Sequence, residues 1–247
     1  MGYNRGNNVK GVKKKMKDSF LIGEPFEWSD KQKDILTIMM DKTTKCVFID
    51  GCAGTGKTVL SVYSALHHMQ RGLIDKIFYV RSVVESAHSK MGYLPGSADE
   101  KLAPFGEVLH DAMRKFLSDE EIIGMIKNKK IETIPLSFLR GRDLQNCIVI
   151  ADEAQNMFFD ELITVATRIG SNEHGEFSKL FVLGDTIQSD LPGQYKHDYS
   201  NFLGLFSDEE SEQFGVYNFK FDEEDVKRSE FVKYVIKKIK EYRSKKK

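Results

Sequence analysis

Three short stretches carry side chains that could handle a phosphate: GCAGTGKT at residues 51–58, IVIADEAQ at 148–155 and LGDTIQ at 183–188. The first fits the pattern G-x-x-x-x-G-K-[ST]. Gly51, Gly54 and Gly56 would let the backbone turn tightly and bring its N–H groups against phosphate oxygens. Lys57 would bring a positive charge to the β and γ phosphates, and Thr58 a hydroxyl to Mg²⁺. The candidate nucleotide contacts are therefore Gly51, Cys52, Ala53, Gly54, Thr55, Gly56, Lys57 and Thr58. In the second stretch an apolar run ends in two carboxylates. Asp152 is the candidate metal holder, and Glu153 the candidate base that takes a proton from an attacking water. In the third, Gln188 could reach the γ phosphate or that water. The first two have plainer rivals, a chance glycine-rich turn and two acids capping the next helix; the third is a weak signal alone and informative after the other two. A base aimed at water weighs towards hydrolysis, because a small-molecule kinase works to keep water out.

Such groups need rigid supports. CIVIA at 147–151 and LFVL at 180–183 are near-continuous apolar runs, which suit strands covered on both faces. The pattern predicts strands at 45–50, 76–80, 131–134, 146–152, 179–185 and 215–221. It predicts helices at 31–40, 57–70, 99–116, 158–169 and 229–242. The expected fold class is α/β, a mostly parallel sheet flanked by helices. The glycine-rich loop then lies between a strand and a helix whose positive end points at the same anion.

A chain of 247 residues supports one substantial core. Lys plus Arg number 37 and Asp plus Glu 37, so the charges cancel and a globally basic nucleic-acid binder is not indicated. No apolar run approaches the ~20 residues of a membrane helix, and no apolar core follows the basic N-terminus as a secretion signal requires. Residues 1–18 read as a flexible basic arm, and 19–247 as a single domain ending in a basic helix. Residues 237–247 hold seven basic side chains against Glu241. Just upstream and within, Phe231, Val232, Val235, Ile236, Ile239 and Tyr242 share a helical face. Cys46, Cys52 and Cys147 read as reduced, mostly buried thiols of a cytoplasmic protein. The six histidines show no metal-ligand spacing. The acidic clusters at 208–212 and 222–225 read as solvated turns and helix starts.

GCAGTGKT, ADEAQN and GDTIQSDLP, in this order, resemble the PhoH family of ATPases, whose nucleotide core is similar to that of superfamily 1 helicases. RSVVE at 81–85, KMGYLPG at 90–96, LRGR at 139–142 and DVKR at 225–228 extend the likeness over roughly residues 29–242. Cys52 stands where the family usually has proline, Ala151 where it often has leucine, Ser189 where it often has isoleucine, and Ser82 where proline is common. These departures leave the subfamily open, with a short phage-type member as the expectation, lacking the nuclease domain that some relatives carry.

The resemblance implies a RecA-like P-loop NTPase that hydrolyses ATP with Mg²⁺, in the host cytoplasm if phage-encoded, coupled to RNA or single-stranded DNA. Two rivals stand beside it: a non-hydrolysing, ATP-dependent assembly switch, and a nucleotide or metabolite kinase, whose arginine-rich lid is not found in the sequence. Gln32, in SDKQ at 29–32, stands where helicase-like cores read the adenine edge, which would select ATP over GTP. The alternative is a surface glutamine behind a Ser29 helix cap. Phe26 or Trp28 could stack on the base or equally lie in the core. Arg81, Lys90 and Tyr93 are candidate strand contacts, with Tyr93 stacking on a base; a structural loop explains them as well. Two-domain helicases draw a transition-state arginine, worth a factor of ~10³ or more, from their second core. A chain with one core needs a second copy to supply it, and the resemblance implies a hexameric ring. Arg228 and Arg168 are the candidates, with Arg140 and Arg142 behind them. Each could instead form an ordinary surface ion pair.

Overall fold

The computed structural model describes residues 22–23, 27–82, 98–170, 177–226 and 230–244. The chain opens with α1 (Asp30–Met40), β1 (Cys46–Asp50), α2 (Lys57–Gln70) and β2 (Lys76–Arg81). There follow α3 (Ala98–Met113), α4 (Asp119–Lys127), β3 (Ile131–Pro135) and β4 (Cys147–Asp152). The remainder is α5 (Phe159–Ala166), β5 (Lys179–Gly184), α6 (Asp198–Gly204), α7 (Glu209–Gln213), β6 (Val216–Lys220) and α8 (Glu230–Ser244). The expected arm at residues 1–18 lies outside the described residues.

The strands form one sheet in the order β3-β2-β4-β5-β1-β6. Every pairing in it is parallel. The C-terminal ends of all six strands therefore lie along one edge. β5 stands between β1, which leads into the glycine-rich loop, and β4, which ends in Asp152. This is the RecA-like arrangement.

The continuous apolar runs have a simple cause: successive side chains of a strand enter opposite cores. Ile148 and Ile150 pack with Ile35, Leu60, Leu66 and Leu109 under α1, α2 and α3. Cys147, Val149 and Ala151 pack with Leu162, Tyr199 and Phe202 under α5 and α6. Both faces are thus covered, as the runs required.

The expected elements all form, with α3 ending at Met113 rather than reaching 116 and α5 at Ala166 rather than 169. Three helices, α4, α6 and α7, were not foreseen. α6 and α7 have seven and five residues, too few for a helical period to show. α4 had a visible signal in Ser118 and Glu121, which cap its start reciprocally. Of the acidic clusters, Asp208 caps α7. Asp222 and Asp225 both receive Lys31 Nζ, at 3.1 and 2.9 Å, which fastens the segment after β6 to α1. Lys179 is fully buried and donates to the carbonyls of Met39 and Asp41 at the C-terminal end of α1. Burial lowers its amine to about 8. Cys147 is buried, whereas Cys46 and Cys52 are partly exposed. On α8 the expected apolar face is only partly packed: Phe231 is 72% exposed, while Val232 and Val235 are half-buried. Among the described residues no helix is long and apolar enough to cross a membrane.

Candidate active site

The glycine-rich loop is shaped by distant parts of the chain. Gly54 and Gly56 take φ of 92° and 87°, which disfavours any side chain. Gly51 needs its missing side chain for another reason. A Cβ there would stand 2.7 Å from Cβ of Phe221, just past β6. Thr55 is fully buried, and its hydroxyl donates to the Cys52 carbonyl at 3.0 Å. Gln32 braces the loop from α1. Its Nε2 donates to the Thr55 carbonyl at 3.1 Å, and its Oε1 accepts the Ser29 N–H at 3.0 Å.

The start of α2 differs from that of α1 or α4, where a serine and a Gln or Glu satisfy the first N–H groups. α2 begins at a left-handed Gly56, and among the described residues no side chain caps its first turn. Those donors and the helix dipole face the loop, which is the composition of an anion site. Lys57 folds back so that Nζ donates to the carbonyls of Gly51 and Cys52, the latter at 3.1 Å.

The two carboxylates stand across from the loop. Asp152, 4% exposed, accepts the Thr58 hydroxyl on Oδ2 at 3.1 Å and the Glu153 N–H on Oδ1 at 2.9 Å. A hydroxyl and a carboxylate this close are hard oxygen donors, which fits Mg²⁺. Glu153 has φ 57° and ψ 40°, a left-handed backbone rare for a residue with a side chain. Its carboxylate is held from two sides. Gln155 Nε2 donates to it at 2.6 Å, and the Arg81 guanidinium lies 3.4 Å away.

The second and third motifs are fastened together. Gln155 Oε1 accepts the Asp185 N–H at 3.0 Å, the Ser189 hydroxyl donates to the Gln155 carbonyl at 2.9 Å, and Asn156 Oδ1 accepts the Asp190 N–H at 2.8 Å. Ser189, a departure from the family pattern, thus makes a bond that isoleucine could not. Asp50, at the end of β1, accepts both the N–H and the hydroxyl of Thr186 at 2.8 and 2.9 Å. Burial raises the Asp185 carboxyl above its ordinary range. Ala53, Lys57, Asp152, Glu153, Gln155, Gly184, Asp185 and Gln188 line one cleft.

The PhoH-like protein family matches residues 27–240. The chain belongs to that family. It is 36% identical to a PhoH-like protein of Synechocystis over 202 residues, 82% of this chain and 58% of the relative. It is 39% identical to one of Bacillus subtilis over 151 residues, 61% of this chain and 46% of the relative. The chain thus spans about half the length of these curated relatives. Among solved structures, the large terminase from a thermophilic bacteriophage aligns with a TM-score of 0.49 at 13% identity, covering 84% of this chain and 49% of that one. Pif1 helicase from Candida albicans aligns with a TM-score of 0.39 at 18% identity, covering 79% and 40%.

In this PhoH-like chain, Lys57, Asp152, Glu153 and Gln188 line one cleft, and Thr58 joins them through its bond to Asp152. Arg81, the candidate strand contact at the end of β2, stands beside them, 3.4 Å from Glu153. Trp28 packs on Tyr63, with ring centres 5.2 Å apart. Arg168 lies elsewhere. Its carbonyl accepts the N–H of Leu144, just ahead of β4, so it sits at the sheet edge opposite the cleft. Arg140 and Arg142 are exposed. Phe26, Lys90, Tyr93 and Arg228 lie outside the described residues. Sequence reasoning missed Tyr79, Gln155 and Asp50. The first depends on the pairing of β2 with β4, which the sequence does not display.

Proposed function

We propose that this PhoH-like chain hydrolyses ATP with Mg²⁺ and couples hydrolysis to RNA or single-stranded DNA, working as a hexameric ring in the cytoplasm. The observation that carries the reading is the one cleft lined by Lys57, Asp152, Glu153 and Gln188. Lys57 exchanges two loop carbonyls for phosphate oxygens. Thr58 and Asp152 hold Mg²⁺, which when bound neutralises charge on the phosphates. Glu153, aimed by Gln155, takes the proton of the attacking water, and Gln188 orients that water. Gln32 combines two tasks. An amide has two donors and two lone pairs, so after bracing Thr55 and Ser29 it retains one of each for the adenine edge.

Coupling to a strand has a physical route through Arg81. A strand phosphate competing for Arg81 acts directly on its ion-pair partner Glu153. Lys90, Tyr93 and the lysine-rich ends supply the remaining contacts, with Tyr93 stacking on a base. The transition-state arginine comes from a neighbouring copy, with Arg228 or Arg168 as the candidate donor.

Phosphate release from ATP, with and without single-stranded RNA or DNA at rising salt, tests this. Stimulation that fades with salt is expected. Nucleotide binding without phosphate release would make the protein an assembly switch, and transfer to an added acceptor would make it a kinase. Mixing Arg228→Ala with Lys57→Ala, each inactive alone, should restore part of the activity. A fully active monomer with concentration-independent turnover would exclude the ring.

A further inference from the structure

We propose that Tyr79 is a positioning residue for the metal-holding carboxylate: its buried hydroxyl fixes Asp152 for the divalent cation. The inference rests on the reading of Asp152 as the Mg²⁺ holder.

Tyr79 is fully buried in the core beneath α2 and α3. Its hydroxyl donates to Asp152 Oδ2 at 2.5 Å, across 73 residues of sequence. The register explains the reach. Tyr79 lies opposite Ile150 and Arg81 opposite Asp152, so one strand sends a donor to each carboxylate of the next: Tyr79 to Asp152 and Arg81 to Glu153.

Two features separate this bond from ordinary core satisfaction. Oδ2 also accepts the Thr58 hydroxyl. Thr58 would be shared, offering a lone pair to the cation and its proton to Oδ2, whereas the Tyr79 hydroxyl serves Oδ2 alone. Second, the donor is neutral. A tyrosine hydroxyl is an uncharged O–H donor, and here it points at the carboxylate from inside the core. A lysine or arginine here would orient the carboxylate but offset its charge and compete with the cation. A phenol orients it and leaves the negative charge for Mg²⁺.

The test is Tyr79→Phe, which removes one oxygen and no carbon. Equilibrium binding of ATP is measured in EDTA and across a Mg²⁺ titration, beside phosphate release over the same titration. Partners that orient a ligating carboxylate are worth about 10–100-fold in metal affinity. The half-saturating Mg²⁺ concentration is expected to rise by about that factor, while ATP affinity in EDTA and turnover at saturating Mg²⁺ stay near wild type. A merely structural tyrosine would lower the unfolding midpoint and leave half-saturation unmoved, and that result would overturn the proposal. Asp152→Ala with and without Tyr79→Phe gives the second measurement. There the hydroxyl has no carboxylate to hold, so the added change should leave Mg²⁺ dependence unaltered; an additive loss overturns the proposal too. If wild type itself shows no Mg²⁺-dependent hydrolysis, the proposed function fails instead.

Discussion

Replacing Glu153 should separate chemistry from binding and expose a strain stored at the same residue. Glu153→Gln keeps the shape of the side chain and an oxygen for Gln155 Nε2, now at 2.6 Å. It removes the basic oxygen, and loss of a positioned general base costs a factor of about 10²–10⁴. The phosphate contacts assigned to the loop and to Lys57 are untouched, so ATP affinity should stay within about threefold. Lys57→Ala should do the reverse, weakening ATP binding itself. The backbone adds a second comparison. A side chain at φ 57°, ψ 40° costs about 1–2 kcal/mol relative to glycine. Glu153→Ala and Glu153→Gly both lose the carboxylate and its bonds to Gln155 and Arg81. Their difference therefore reports the backbone alone, and the glycine variant should be the more stable by about 1 kcal/mol. Single-turnover phosphate release, equilibrium binding of a fluorescent ATP analogue and urea midpoints measure the three quantities. Equal loss of ATP binding in Glu153→Gln and Lys57→Ala would refute the role given to Glu153. Equal midpoints for the alanine and glycine variants would refute the strain.

Two other perturbations test the support of the site. His68 is 1% exposed, with Nδ1 2.7 Å from the Ser64 carbonyl, and burial lowers its pKa to about 4. The unfolded imidazole titrates near 6.5, so the unfolded chain takes up the proton first as pH falls. The stability held above about pH 6.5 should drop by up to roughly 3 kcal/mol by pH 4 from this group alone. His68→Gln should flatten that slope in urea titrations between pH 7 and 4, and an unchanged slope would acquit the imidazole. Gly184→Ala would place a Cβ 2.6 Å from Cζ of the buried Tyr199. It should destabilise the fold by about 1–3 kcal/mol or more, and an unmoved urea midpoint would remove packing as the reason for that glycine.

What the sequence revealed and concealed follows from how far each signal reaches. The loop, Asp152 and Glu153 were legible because a local rule covers them: an apolar run followed by polar groups places those groups at a sheet edge. Sheet class was legible because covering both faces leaves no polar alternation in CIVIA or LFVL. Tyr79 was not legible, because its meaning depends on the parallel register of β2 against β4, which no local pattern encodes. Gly51 shows the same limit. Its place in the motif is visible, yet the contact that requires it is Phe221, 170 residues later. Gln155 sits in plain view within ADEAQN, but its two bonds go to Glu153 and to a backbone group thirty residues away. Short helices such as α7 were lost because a single turn and a half has no period.

The segment after β6 is the remaining link between loop and motif. Phe221 presses on Gly51, its N–H donates to the Asp50 carbonyl at 2.7 Å, and Lys31 clamps Asp222 and Asp225. Val226, buried, follows at once. The stretch leading towards Arg228 is therefore fastened to the flank of the phosphate loop and to α1, which also carries Gln32. Lys31→Ala should loosen this fastening without unfolding the protein, because ion pairs as exposed as Lys31 with Asp222 contribute about 0–1 kcal/mol. That amount corresponds to at most about fivefold in a local opening equilibrium. Hydrogen exchange should therefore speed up about two- to fivefold at residues 222–226, with the core strands β4 and β5 unchanged. Exchange at 222–226 equal to wild type would mean that Phe221 and Val226 hold the segment by packing alone. Acceleration spread over the whole sheet would mean that Lys31 supports global stability and not this link.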